Sequence, residues 1–238
     1  MIWDWSFFFA YLTDPRIVAA AGTTLAVATV AQVVATVIGV GGALALRSSV
    51  AALRGAVHGY IWLFRGTPPL VQLLLFYFGL AQLGLRLSVL QASLACLSLY
   101  SGAYMTIFVR TALDSIDKGQ VEASRSLGLS RFDTLRDVLM PQALRILLPP
   151  FGNEFASMMR TTSLLSVISF EELLRVTNQA INQTFRPLEL YAVAALYYLA
   201  MTTLWMLVQH RLERRLDTGR REAGRTTIAT TTPGISAS

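Results

Sequence analysis

The chain has 238 residues, of which 54% are hydrophobic and only 14% charged, and its mean hydropathy is +0.52. A soluble domain of that composition could not cover its surface with polar groups, so a membrane protein is expected. The net charge of +6 calls for no nucleic acid, because basic loops held at an anionic leaflet account for it.

The first segment, 1–16, has no basic leader, and Asp4 and Asp14 flank an aromatic run of Trp3, Trp5, Phe7, Phe8 and Phe9. It reads as a short interfacial segment at the headgroups rather than a signal peptide. Apolar runs then follow of the roughly 20-residue length that crosses the hydrocarbon. They are Ile17 to Leu46, Gly66 to Leu85, Leu87 to Val109, Ile146 to Phe170 and Leu190 to Gln209. The expected fold class is an all-α integral membrane protein of about five transmembrane helices, its membrane domain covering 17–213.

With the N-terminus outside, fifteen Lys and Arg residues between Arg47 and Arg225 fall in the inner loops and tail. Four fall outside: Arg16, Arg86, Arg175 and Arg186. Basic residues are retained on the cytoplasmic side, so the N-terminus is expected out and the C-terminus in. The tail, 214–238, ends in a small polar stretch and is expected to be disordered. Cys96 stands alone inside a span, which excludes a disulfide framework. His58 and His210 have no acidic or thiol residues clustered with them, so no metal site is expected. A phosphate-cradling glycine loop and an acid–base constellation are both missing, so the chain is expected not to be an enzyme.

The fourth span is unusually polar. Asn153, Glu154, Arg160, Thr161, Thr162 and Ser163 lie within it, and Pro149 and Pro150 are expected to break its helix. A charge at mid-membrane costs about 2.5–3.5 kcal/mol, so Glu154 and Arg160 should face a watery path or a partner. A structural ion pair of Glu154 with Arg160 or Arg110 is the competing reading.

Before this span lies Glu122–Pro141, EASRSLGLSRFDTLRDVLMP, rich in charge. Asp117 with Gln120, and Ser130 with Asp133, have the spacing of reciprocal helix caps, which predicts short helices of about 118–127 and 131–140. Gly128 can take the left-handed conformation between them, and Pro141 is expected to end the second. Such a pair at the inner surface could cover the ends of the spans, contact lipid, or dock a soluble partner.

The residues favour the third. Glu122-Ala123-Ser124, Gly128 six residues after the Glu, and Val138-Leu139-Met140-Pro141 resemble the EAA loop of permease subunits of bacterial ABC importers. Phe64-Arg65-Gly66-Thr67-Pro68-Pro69, Gly102-Ala103-Tyr104, Lys118-Gly119-Gln120 and Thr162-Ser163-Leu164 are similar to further motifs of the polar amino-acid branch. The resemblance covers about 22–213 and implies the type I ABC importer permease fold. It implies that coupling helices at about 118–140 seat on a separate ATPase, with Gln120, Glu122, Ala123, Ser124, Gly128 and Pro141 as coupling residues. Arg65, Gly66, Thr67 and Pro68 become a structural motif. Tyr104, Arg110 and the polar residues of the fourth span become the substrate path. ATP and magnesium would belong to the partner, with no cofactor in this chain. The other partners implied are a second, identical or related permease subunit, a solute-binding protein outside and the bacterial inner membrane. Two carboxylates common in the family are replaced, by Ile107 and Thr161, which points to a neutral or acidic amino acid rather than a strongly cationic one. The alternative is an ATP-independent secondary carrier or channel that uses Glu154 and Arg160.

Overall fold

A computed structural model describes the backbone of residues 3–229 and the side chains of residues 3–216. Helices account for nearly all of it, with no strand among the described residues. In order they are α1 (Trp5–Leu12), α2 (Pro15–Leu46), α3 (Ala51–Gly66), α4 (Pro69–Leu74), α5 (Leu80–Gln82) and α6 (Val89–Asp114). There follow α7 (Lys118–Ser126), α8 (Arg131–Asp133), α9 (Met140–Thr161), α10 (Leu173–Thr184) and α11 (Pro187–Ala229). Wide π turns at Leu75–Gly79 and Thr134–Leu139 join α4 to α5 and α8 to α9, and a 3-10 turn at Thr162–Ile168 extends α9.

The core is the pairing of α2 with α6. Small residues on α2, among them Ala28, Ala31 and Ala35, are fully buried and let the helices approach closely. At Gly39 an added Cβ would collide with the Met105 Cβ and lie 2.8 Å from its backbone carbonyl carbon. The Ser98 hydroxyl donates to the Ala31 carbonyl at 3.3 Å, and Arg47 meets Asp114 at 2.6 Å. These contacts advance together along both helices, so α2 and α6 run parallel and one crossing must return between them.

That return is not the straight span 66–85. It is α3 followed by Pro69–Gln82, bent by 107°. Thr67 and Pro68 are extended, and Pro69 opens the next helix, where its missing N–H costs nothing. The Gln72 amide closes the bend by donating to the Phe64 carbonyl at 2.9 Å, the Thr67 carbonyl at 3.1 Å and the Thr67 hydroxyl at 2.8 Å.

Among the described residues three helices are long and apolar enough to cross a membrane: α2, α6 and the Pro187–Leu216 part of α11, or four with the bent pair taken as one. Helix α9 is not among them; it carries Arg145, Glu154 and Arg160 along with Pro141, Pro149, Pro150 and Asn153. It runs antiparallel to α6, with Leu147 and Phe151 beside Val109 and Leu113, and Met158 and Met159 beside Cys96 and Leu97.

The prolines behave differently from expectation. Pro149 and Pro150 lie inside continuous α9 and do not break it. Helix α11 supports the backbone there, since Gln209 Nε2 donates to the Pro149 carbonyl at 3.3 Å and Trp205 Nε1 to that of Gly152 at 2.8 Å. Pro141 does not end a helix either. It opens α9 directly after the π turn, whose wider ring, closed by Met140 N–H to the Leu135 carbonyl, leaves space for the pyrrolidine. The tail also departs from the expected disorder: the α11 backbone is helical to Ala229, propagated from a span that already supplies the costly nucleus. Residues 230–238 lie outside the described residues.

At the opposite end of the bundle from α7, Glu172 caps α10 and is fully buried. Its carboxylate accepts from Leu174 N–H at 2.9 Å, Arg175 N–H at 2.7 Å and the Tyr198 hydroxyl at 2.9 Å. Burial pushes the Glu172 carboxyl up, against the pull of these three donors. Nearby, Arg186 pairs with both Asp4 and Glu189, which anchors the start of α1 to α11. The N-terminal segment is therefore a capped helix packed on the bundle through Phe8 as well as an aromatic surface.

Candidate functional site: a coupling helix and a polar helix face

Helix α7 starts at Asp117, whose carboxylate accepts from Gly119 N–H at 2.7 Å. Gln120 does not reciprocate with its side chain; only its backbone N–H reaches the Asp117 carbonyl, so the expected reciprocal cap is half formed. The same holds at Ser130, which accepts from Asp133 N–H at 3.1 Å while its hydroxyl donates to the Asp133 carboxylate. A full reciprocal cap occurs instead at Ser88 and Gln91, at the start of α6, where the serine-to-glutamine spacing carried the signal.

The exit from α7 matches expectation. Gly128 has φ +76°, its N–H bonds the Arg125 carbonyl at 3.0 Å, and Leu129 N–H bonds that of Ser124 at 3.1 Å. This double closure needs a left-handed residue, which glycine adopts without a Cβ clash. Ser124 is buried, and its hydroxyl donates back to the Gln120 carbonyl at 2.7 Å within α7. Gln120, Glu122 and Ala123 are exposed, and Glu122 makes no ion pair within the described residues. Leu127 is 80% exposed and Phe132 66%, with the Arg136 guanidinium 5.6 Å from the Phe132 ring. A charged helix with uncovered apolar residues at its exit is a surface suited to a partner.

The residues expected along the path divide into two groups. Arg65, from the bend motif, lies over the Tyr104 ring at 4.9 Å, and Tyr100 Oη lies 3.4 Å from Tyr104 Oη. Both Arg65 and Glu154 lie within electrostatic range of Tyr100. Glu154 also interacts with Ser101, a fully buried serine whose hydroxyl has no hydrogen bond of ordinary geometry. Arg65, Tyr100, Tyr104 and Glu154 thus form one polar cluster where α3, α6 and α9 meet. Tyr100 and Ser101 were not singled out in the sequence; their only signal is a position one turn before Tyr104 or beside Gly102. Gly102 itself is a contact point, since a Cβ there would lie 2.8 Å from both Ile38 Cγ2 and Tyr60 Oη.

Arg110 and Arg160 stand apart from this cluster. Arg110 pairs with Asp114 at 3.3 Å, and no ion pair joins it or Arg160 to Glu154 among the described residues. The competing structural pair is therefore not formed, because Asp114, one turn after Arg110, takes that cation first. Asn153 and Arg160, seven residues apart, are exposed on one face of α9. The hydroxyls of Thr161, Thr162 and Ser163 donate to carbonyls of Ser157, Met159 and Arg160 at 2.7–3.0 Å. Their protons are committed to the helix end, which leaves their oxygens only as acceptors. No cluster of metal-ligating side chains occurs among the described residues.

A bent second crossing, an exposed short helix closed by glycine and a polar face on the following span define a transporter's membrane subunit. The chain belongs to the family of binding-protein-dependent transport system inner membrane components, whose model matches residues 35–218. It is similar to the "Probable amino-acid ABC transporter permease protein YckA" of Bacillus subtilis (strain 168), with 35% identity over 216 residues, 89% of this chain and 96% of the relative. Similarity to the glutamine transport system permease protein GlnP of Escherichia coli (strain K12) reaches 40% identity over 159 residues, 66% of this chain and 73% of that one. The solved structure described as an amino acid ABC transporter with histidines superposes with a TM-score of 0.82 at 34% identity, covering 90% of this chain and 100% of the matched one. The fold is that of a type I ABC importer permease, and the chain is a multi-pass membrane protein.

Proposed function

We propose that this chain is a transmembrane subunit of an ATP-driven importer carrying a polar amino acid or related small solute across the bacterial inner membrane. The observation that carries the reading is α7 with its Gly128 exit. It is an exposed helix with Glu122 unpaired and Leu127 and Phe132 uncovered, at the place where the family docks its ATPase. ATP and magnesium belong to that ATPase, and a solute-binding protein delivers from outside. Five spans over 17–213, with the N-terminus out and the C-terminus in, account for the basic loops, for the parallel pairing of α2 with α6 across the bent return, and for the reversed direction of α9. The exposed Asn153 and Arg160 favour a path between this subunit and a second permease subunit, since lipid would leave Arg160 with a cost of about 2.5–3.5 kcal/mol. Coupling requires the ATPase to hold α7 differently in its two states.

The solute is a neutral or acidic amino acid, or a carboxylate-bearing relative. Ile107 and Thr161 supply no negative charge for a cationic side chain, while Arg65, Arg110 and Arg160 supply positive charge. The test is competition for uptake in proteoliposomes containing the whole transporter. Glutamine or glutamate should compete; strong inhibition by arginine or lysine alone would overturn the assignment.

A further inference from the structure

At the α7 end of the bundle a cavity of about 550 Å³ opens between α3 and α6. Its volume lies within the range of small-molecule sites, roughly 300–1,000 Å³. Leu46, Ile61 and Ile107 form its apolar wall, and His58, Arg110 and Asp114 its polar side. Asp114 accepts from Arg47 at one oxygen and from Arg110 Nε at the other, at 2.6 and 3.3 Å. One carboxylate thus serves two guanidinium groups, and the site keeps a net positive charge. Arg110 spends only Nε on Asp114, so its two terminal nitrogens make no bond within the described residues and can form a fork to a carboxylate. His58, across the cavity on α3, adds a second donor. Nothing in the apolar wall offers a partner to a cation.

We propose that this cavity is an inner station of the path, where Arg110 and His58 hold the carboxylate of a small solute and Leu46, Ile61 and Ile107 take its uncharged part. This rests on the import reading above. The station lies next to the link from α6 into α7, since Asp114 is four residues before Lys118. Movement of α7 by the ATPase would therefore act directly on the residue that positions Arg110.

The experiment places a cysteine at Ile107 in a Cys96→Ala background, with the purified permease in nanodiscs. The thiol is modified with an anionic and a cationic methanethiosulfonate, each rate normalised to a free thiol. The anionic reagent should react about five- to tenfold faster, the size expected for unit probe charges near a net unit charge at a protein–water boundary. Adding Arg110→Gln should erase the preference, and millimolar glutamine or glutamate, but not arginamide, should slow labelling. Equal rates, a cationic preference or no protection by any carboxylate-bearing amino acid would overturn the proposal. So would protection by phosphatidylglycerol in the disc alone, which would give the site to a lipid headgroup. Ser115→Cys, at the rim of the same cavity, supplies the reading if the Ile107 variant does not fold. Labelling needs no ATPase, so its failure with ATPase capture intact removes this site and leaves the import reading standing.

Discussion

At Gly39 the contact distances leave no place for a side chain: the atoms in the way are the Met105 Cβ and backbone, which cannot swing aside. Gly39→Ala is expected to push α2 from α6 and cost about 1–3 kcal/mol, read as a lower unfolding temperature in detergent. An unchanged melting curve would show that the seam yields. Glu172 makes a different expectation. Because burial raises its carboxyl in the fold, the folded state binds that proton more tightly than the unfolded chain does. Its contribution is therefore full below the ordinary carboxylate value and falls as pH rises through the raised one. Comparing thermal stability at pH 5 and pH 7.5, the loss on going to high pH should be smaller in Glu172→Gln than in the parent. An identical loss in both would place the titration elsewhere. Neither feature was legible in the sequence, because Gly39 stands in an ordinary apolar run and Glu172 has the composition of a loop residue. Gly128 was legible, since a glycine between two cap-like spacings has one common use.

At the scale of elements, the apolar runs gave α2 and α6 almost to their ends, because an uninterrupted span leaves only its termini to decide. The bend between α3 and α4 was hidden. It depends on the Gln72 side chain reaching back to carbonyls five and eight residues earlier, which no local pattern reveals. Gln72→Leu keeps the apolar character but strands the Phe64 and Thr67 carbonyls, at a cost of about 1–3 kcal/mol. Lower thermal stability, together with faster proteolysis between Gly66 and Pro69, is the expected result; parent-like behaviour would mean that the prolines hold the bend alone. The continuity of α9 was misjudged for the same reason. The two prolines free only the carbonyls of Arg145 and Ile146, and here Trp205 and Gln209, more than fifty residues later, hold the following turn by hydrogen bonds to the carbonyls of Gly152 and Pro149.

For the molecule as a whole, the polar cluster of Arg65, Tyr100, Tyr104 and Glu154 joins three helices that the sequence separates by up to 89 positions. Residue types alone suggested the fourth span as a lining. They could not show that Arg65, read as part of a loop motif, would turn onto Tyr104, or that Arg110 would be taken by Asp114. Arg65→Gln should reduce uptake by the assembled transporter while leaving ATPase capture unchanged; loss of both together would make Arg65 structural. Under the proposed function α7 is the element that receives force from a partner. The direct measurement is capture of the cognate ATPase subunit by the detergent-purified permease, comparing the parent with Gly128→Leu. A Cβ at Gly128 would meet no atom within 4 Å, so the first cost of the substitution is that of its left-handed backbone, at about 1–2 kcal/mol local to the turn. Stoichiometric capture by the parent and its loss in a variant that still inserts and folds is the expected result. Equal capture by both, or none by a well-folded parent, would contradict the assignment of α7 as the coupling helix.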